Sequence, residues 1–401
     1  MHSLRILQII PSLAKETGGP TGSVLGIGRA LASFGHRVVL YTTTWPLCGS
    51  DREAQVRLEK ETGLEIVTFP AQQSPLFPNL PYSPALVKSV FDHSREFNIV
   101  HNFSLWNPVA TFSLSALRRS GSLYCLSPLG MLDPVVIRRN RWKKFAWRLL
   151  WERANVEGAA LVHFTTQMEE KRARGAWKLN RSVIIPHVVD LSHWGSLPSP
   201  SVMDERFPQI QGREVILFVG RINWVKNLDL LLKALAKVRL ERPGAMMMLV
   251  GPDNEGYRSV LEKQARRLGI GNRILFTGML QGDDLKSAYA RANVFALVSQ
   301  KENFGHTAAE ALASGIPVVA SEEVGVAADW PACEAVFRVQ SKVEPIADGL
   351  IRALRRSEAV GIPDPAAQSL ARNCFDNSEG AKIYEAFDSV ITERHHSCLL
   401  F

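Results

Sequence analysis

A glycine, an arginine and a lysine stand where phosphate chemistry would want them. Gly220-Arg221 closes the apolar run Val215–Val219, and Lys226 follows five residues later at the start of a helical pattern. A guanidinium offers phosphate oxygens a planar fork, an ammonium a point charge, and a helix N-terminus exposed N–H groups with positive potential. Two solvated surface cations would fit the same spacing. A second constellation is Lys301-Glu302-Asn303-Phe304-Gly305-His306-Thr307, with Glu310 eight residues beyond Glu302. Gly305 lets backbone approach a ligand, and the N–H groups of residues 305–307 are expected to face it. Carboxylates repel phosphates unless they accept hydrogen bonds from hydroxyls, so a ligand with both groups, such as a nucleotide sugar, reconciles the two sets. The bland alternative for Glu310 is helix-dipole stabilisation, worth ~0.3–1 kcal/mol.

The elements that must position these residues alternate along the chain. Short apolar runs at Leu4–Ile10, Arg37–Thr43, Ile99-Val100, Tyr124–Ser127 and Ala160–Phe164 are separated by helical stretches, the first near Gly22–Phe34. After a proline- and serine-rich break the alternation restarts with Val215–Val219, Met246–Val250, Arg273–Phe276, Val294–Val298 and Pro317–Ala320, with a helix over Thr307–Ala313 between the last two. That pattern predicts an α/β protein with parallel sheets covered by helices on both faces. The expected organisation is a first domain over 1–188, a linker over 189–212, a second domain over 213–376, and a terminal helix with tail over 377–401. Ile383, Tyr384, Phe387 and Val390 lie at helical spacing in that last segment. Ligands of such sheets bind beyond the carboxyl ends of the strands at the switch point. Two such domains joined by one linker imply a cleft between them.

Composition narrows the class. The 401 residues are 46% hydrophobic and 21% charged without a biased tract, which excludes disordered and fibrous proteins. No apolar run reaches the ~20 residues of a membrane-spanning helix. The N-terminus lacks a long apolar core and cleavage site, so it reads as a buried strand and not a signal peptide. Five scattered cysteines (48, 125, 333, 374, 398) form no disulfide or zinc pattern and fit a reducing cytoplasm. The net charge of +8 suits anionic partners without arguing for nucleic acid.

The Glu302-x7-Glu310 block, with Gly220-Arg221…Lys226-Asn227, Val250-Gly251-Pro-Asp-Asn-Glu-Gly-Tyr257 and Phe276-Thr-Gly278-Met279, resembles the family 4 glycosyltransferases of GT-B fold. The resemblance runs from the Gly18-Gly19-Pro20 loop almost to the end of the chain. It implies two Rossmann-like doubly wound domains facing a cleft, with the C-terminal helix crossing back to the first. It implies a retaining, metal-independent enzyme without cofactor, using a nucleoside-diphosphate sugar as donor. Arg221 and Lys226 would grip the diphosphate, Glu310 the ribose, and Glu302 the sugar. Backbone at Phe304, Gly305, His306 and Thr307 would hold sugar hydroxyls and phosphate, Gly19 would close over the diphosphate, and Met279 would help shape the pocket.

The first half carries two acceptor-side motifs of that family, Val100-His101-Asn-Phe103-Ser-Leu-Trp106 and Ser127-Pro-Leu129-Gly130. His101, Trp106 and Gly130 are the implied acceptor-side residues. The chain departs from the pattern at Leu129, Phe103 and His187-Val188. His101 taken alone reads as a hydrogen-bonded structural histidine. Residues 138–153 hold seven cations against Glu152, a net of +6, interleaved with Trp142, Phe145, Trp147, Leu149, Leu150 and Trp151. That combination suits the plane of an anionic membrane surface on the cytoplasmic side, and equally a core-facing helix with one solvated side. The resulting expectation is a transferase acting on a glycan or lipid-linked glycan, in cell-surface polysaccharide synthesis. The competing readings are a catalytically silent nucleotide- or glycan-binding protein at a membrane, and an epimerase or phosphorylase on the same fold.

Overall fold

The computed structural model describes residues 2–14, 19–45, 59–60, 62–73, 80–138, 141–253, 255–375 and 378–398. Gly18, Cys48 and Asn254, and the side chains of Arg138, Arg139 and Arg141, fall outside that description. The chain divides into two compact units, 1–188 with 377–401, and 189–376.

In the first unit, strands β1 (Arg5–Ile9), β2 (Arg37–Thr43), β3 (Glu65–Phe69), β4 (Ile99–Phe103), β5 (Tyr124–Ser127), β6 (Leu161–Phe164) and β7 (Ser182–Ile184) form one parallel sheet. Its order is β3-β2-β1-β4-β5-β6-β7. Alternate residues enter opposite cores, Ile6, Val38, Leu40 and Ile99 one side, Leu7, Ile9, Val39 and Val100 the other. Burial on both faces is why these strands read as unbroken apolar runs. The helix Pro108–Ser120 is fixed at both ends: Asn107 accepts from the Ala110 N–H (2.9 Å), and Gly121 turns left-handed at φ 69°.

The terminal helix Ser378–Cys398 belongs to this unit. Ile383, Tyr384, Phe387 and Val390 are buried there, with Tyr384 stacked on His36 (4.6 Å). Each such side chain contributes about 1.5–3 kcal/mol.

In the second unit, β8 (Glu214–Val219), β9 (Ala245–Val250), β10 (Ile274–Gly278), β11 (Val294–Leu297), β12 (Val318–Ser321) and β13 (Val336–Val339) form a six-stranded parallel sheet in the order β10-β9-β8-β11-β12-β13. Both sheets therefore reverse direction once, at β1/β4 and at β8/β11. Residues 189–212 correct the linker expectation. Helices Leu191–Gly195 and Ser201–Arg206 and a turn at Pro208–Ile210 carry Val189, Trp194, Met203 and Ile210 into the second unit's core. Arg291 ties the segment down through Asp204 and the Ile210 carbonyl, both at 2.5 Å. Elements this short offer no hydrophobic period to read.

Candidate functional site

The β8/β11 reversal gathers the phosphate-suited residues. The two strands pair at Val294↔Ile216 and Phe295↔Leu217, short of their carboxyl ends at Val219 and Leu297, and sheets of this kind take ligands beyond those ends at the switch point. Past β8 the backbone turns at Gly220 (φ 155°) and passes against Gly251 (φ 145°). A Cβ on Gly251 would stand 1.9 Å from the Gly220 carbonyl oxygen, so no other residue fits this crossing. Arg221 follows, exposed and without a partner among the described residues. The Trp224–Lys226 turn comes next, and Asn227, left-handed at φ 53°, starts the helix Leu228–Glu241. Gln300 holds that junction from the β11 side, donating to the Asn227 Oδ1 (2.8 Å) while its N–H donates to the Val225 carbonyl (2.8 Å).

Lys226 and Glu302 meet as an ion pair, Nζ to Oε2, with side chains 16% and 22% exposed. Glu302 is held by backbone on both sides: its N–H donates to the Glu323 carbonyl (3.3 Å), and its carbonyl accepts from Gly325 (3.0 Å). Gly305 then takes a left-handed conformation (φ 100°) packed against Val324, and the helix His306–Ala313 begins. The first turn of any helix leaves N–H groups without intrahelical acceptors, which is positive potential beside the loop that carries Glu302. Phe304 is buried against Phe375, so only its backbone is placed to serve a ligand. Burial pulls the His306 imidazole down to about 4, keeping it neutral at physiological pH, although the Glu302 charge opposes this.

Glu310 sits one helical turn deeper. Burial pushes its carboxyl up to about 7, partly offset by a hydrogen bond from the Tyr289 hydroxyl (2.8 Å). Tyr289 lies fully buried on the helix Gly282–Arg291, edge-on to Trp194, and also approaches the Thr307 carbonyl (3.2 Å). Sequence reasoning missed it, because a tyrosine in Ala288-Tyr-Ala290 ahead of a strand has the signature of core. Tyr289→Phe is expected to move the Glu310 carboxyl further up, by roughly one pH unit, followed by carboxyl-carbon NMR across a pH series. Met279, 46% exposed, follows β10, two strands and ~10 Å from β8. Exposed Trp224, in the turn carrying Lys226, is a second residue the sequence reading passed over.

In the first unit the residues after β4 and β5 carry uncommon backbone: Ser104 (φ 80°), Trp106 (φ 60°), Leu129 (φ 52°) and Gly130 (φ 80°). Three non-glycine residues in that region beside a strand-end reversal are the kind of strain that clusters at working sites. The loops are pinned: Gly130 N–H donates to Glu169 (2.5 Å), and Trp106 donates from its backbone to Glu152 (3.0 Å) and from its ring to the Met131 carbonyl (2.8 Å). His101 does not join them at the surface. It is fully buried within β4, its Nε2 2.7 Å from Ser127 Oγ, which lies 2.9 Å from His163 Nδ1, whose Nε2 meets the Ile185 carbonyl (2.8 Å). Burial drives both imidazoles down, His163 to about 4, so this is a neutral internal chain. Gly19 opens the helix Gly19–Ser33 after β1.

Comparison with known proteins agrees in kind. A family model described as glycosyl transferases group 1 matches residues 203–361, and a glycosyl transferase 4-like domain model matches residues 18–187. Similar relatives include an uncharacterized glycosyltransferase of Methanocaldococcus jannaschii, 38% identical over 28% of this chain. Another is the D-inositol 3-phosphate glycosyltransferase of Kineococcus radiotolerans, 30% identical over 45% of it. The match spans 28% and 44% of those two relatives' own lengths. Among solved structures, the Anabaena protein Alr3699/HepE in complex with UDP and glucose shares the fold with a TM-score of 0.75. Its identity is 19%, over 96% of this chain and 100% of that one.

Proposed function

Since the chain belongs to the family 4 glycosyltransferases of GT-B fold, we propose that it moves a sugar, with retention of configuration, from a nucleoside-diphosphate donor to a glycan or lipid-linked glycan. The reaction needs no metal or cofactor and serves polysaccharide assembly at the cytoplasmic face of a membrane. The observation that carries this reading is the β8/β11 switch point, after which stand a Lys226–Glu302 pair, a helix N-terminus and the half-buried, desolvated Glu310 carboxyl. Diphosphate and vicinal hydroxyls are the ligand groups that such a set satisfies together. That the Anabaena protein of the same fold was solved with UDP and glucose supports it.

The chemistry is electrostatic. Arg221 and Lys226, with the N–H groups at Gly305–Thr307, stabilise the charge that builds on the departing diphosphate. Glu302, relieved of Lys226 by the phosphates, orients the donor sugar, and Glu310 accepts from the ribose hydroxyls. His306, being neutral, adds hydrogen bonding without charge. On the acceptor side, Trp106 and Gly130 shape the surface, and His101 acts through Ser127 as a positioning residue.

Calorimetric titration with UDP, GDP and ADP in the presence of a chelator tests the donor site. One nucleotide is expected to bind selectively. Arg221→Ala is expected to lower kcat by about a hundredfold with the acceptor KM unchanged. Binding of none of the three would overturn the reading. Selective binding without turnover over a broad acceptor panel would favour a catalytically silent protein, for which Leu129, Phe103 and His187-Val188, where the chain departs from the family pattern, are the supporting departures.

A further inference from the structure

Five of the twelve large hydrophobic side chains exposed among the described residues fall within sixteen positions: Val135, Trp142, Phe145, Leu149 and Leu150, each at 60–76%. They lie on the Pro134–Arg138 helix and on the run Arg141–Glu157, which has a π-helical turn at Arg148–Glu152. Along that run the outward positions are Trp142, Lys143, Phe145, Ala146, Leu149, Leu150 and Arg153, spaced by three and four residues and including no acid. An apolar stripe on the helix face away from the core is the reverse of the ordinary pattern.

The inward face is already occupied. Of the run's two acids, Glu152 is buried and accepts from Thr111 Oγ1 (2.6 Å), the Trp106 N–H (3.0 Å) and Trp147 Nε1 (3.2 Å), and Glu157 pairs with Arg153 (3.1 Å). Trp151 packs edge-on against Phe112, and the Arg148 guanidinium lies 4.3 Å from the Trp177 ring centre. The outer stripe is thus a preformed surface on a fixed base, and its base is bonded directly to the Trp106 loop.

We propose that this stripe is a docking surface for an anionic lipid bilayer, lying in the headgroup plane. No described helix is long and apolar enough to cross a membrane, and this one has the composition of an interfacial helix: rings and leucines outward, Lys143 and Arg153 among them. Residues 138–153 carry +6 of the chain's +8. Two copies meeting face to face would oppose the outward Lys143 and Arg153 to themselves, whereas an anionic surface is complementary to these cations. Tryptophan at Trp142 suits the membrane–water boundary. The hydrogen bond that the Trp106 N–H donates to Glu152, and the Lys144 ammonium 5.4 Å from the Trp106 ring centre, place the acceptor-side loop next to the bilayer, which suits an acceptor held in lipid; that role, unlike the surface itself, rests on the transferase reading.

Co-sedimentation with vesicles of phosphatidylcholine alone, and of phosphatidylcholine and phosphatidylglycerol in equal parts, tests it on the full chain. Wild type is expected to bind the anionic vesicles and only weakly the neutral ones. Phe145→Glu with Leu149→Glu is expected to lower partitioning on the order of a hundredfold, with the thermal midpoint unchanged because both positions are exposed. Lys143→Gln with Arg153→Gln, which touches no apolar group, is expected to lower anionic binding about tenfold and neutral binding not at all. Absence of wild-type binding would overturn the proposal, as would full binding by the glutamate variant. A concentration-dependent dimer that the same variant dissolves would overturn it in favour of self-association. UDP, GDP and ADP titrations on the same samples separate the two readings: vesicle binding without nucleotide binding would sink the transferase and leave the surface standing, and the reverse would do the opposite.

Discussion

Glu310→Gln is expected to make the protein more stable and its donor site worse at the same time. Burial holds this carboxyl at about 7 against an ordinary 4.5, and the Tyr289 hydroxyl offsets only part of that. Unfolding returns the group to its ordinary value, so between about pH 4.5 and 7 the native state keeps a proton that the unfolded chain has released. The advantage of the neutral form is complete below about 4.5, is lost as pH rises, and levels off above about 7. At pH 8 the ionised carboxylate costs roughly 3 kcal/mol. Glutamine carries no such cost and can still accept from Tyr289. The variant is expected to melt roughly 5–10 °C above wild type at pH 8, the two converging near pH 4. Loss of charge-assisted bonds to ribose hydroxyls should raise the nucleotide-sugar Kd on the order of a hundredfold. Equal melting at both pH values would refute the buried charge, and an unchanged Kd would remove Glu310 from the donor site.

The Lys226–Glu302 pair supports the other large effect. Lys226→Ala is expected to lower kcat/KM by on the order of a thousandfold, more than Arg221→Ala, because it does two things. It removes a cation from the phosphates, and it leaves a carboxylate with little solvent access facing them uncompensated. Glu302→Gln alone should cost roughly a hundredfold. The double variant should be no worse than Lys226→Ala, so the measured loss falls about a hundredfold short of the product of the singles. Losses that simply multiply would mean that the pair is an incidental ion pair of the empty site.

These predictions use residues of unequal legibility. Glu302, Glu310, Arg221 and Lys226 could be picked out because each follows a strand that is buried on both faces and therefore reads as a run. β3, β7 and β13 went unread for the converse reason: they are short edge strands, half-buried and mixed in composition. Tyr289 was hidden because its role lies in one hydroxyl, and only the packing of Gly282–Arg291 against the second sheet aims that hydroxyl at Glu310. The Lys226–Glu302 contact spans 76 residues of sequence, and no local pattern encodes it. The segment 189–212 misled because proline and serine mark a break in periodicity, which a run of short packed helices also produces. His101 is a case where the motif and the bare residue pointed differently, and its burial follows the bare residue.

The first unit is discontinuous in the chain: its sheet is complete by Ile184, yet the helix that covers Ile6, Leu31 and His36 with Ile383, Tyr384 and Phe387 is encoded after the whole of the second unit. On a ribosome adding ~5–20 residues per second, the covering helix emerges roughly 10–40 s after the sheet it covers. The second unit, uninterrupted from Val189 to Asp376, is synthesised within that interval while the first waits with an apolar flank open. The unit begun first therefore cannot be completed until the second has been synthesised, and the nascent first half is the part that waits longest with apolar surface uncovered.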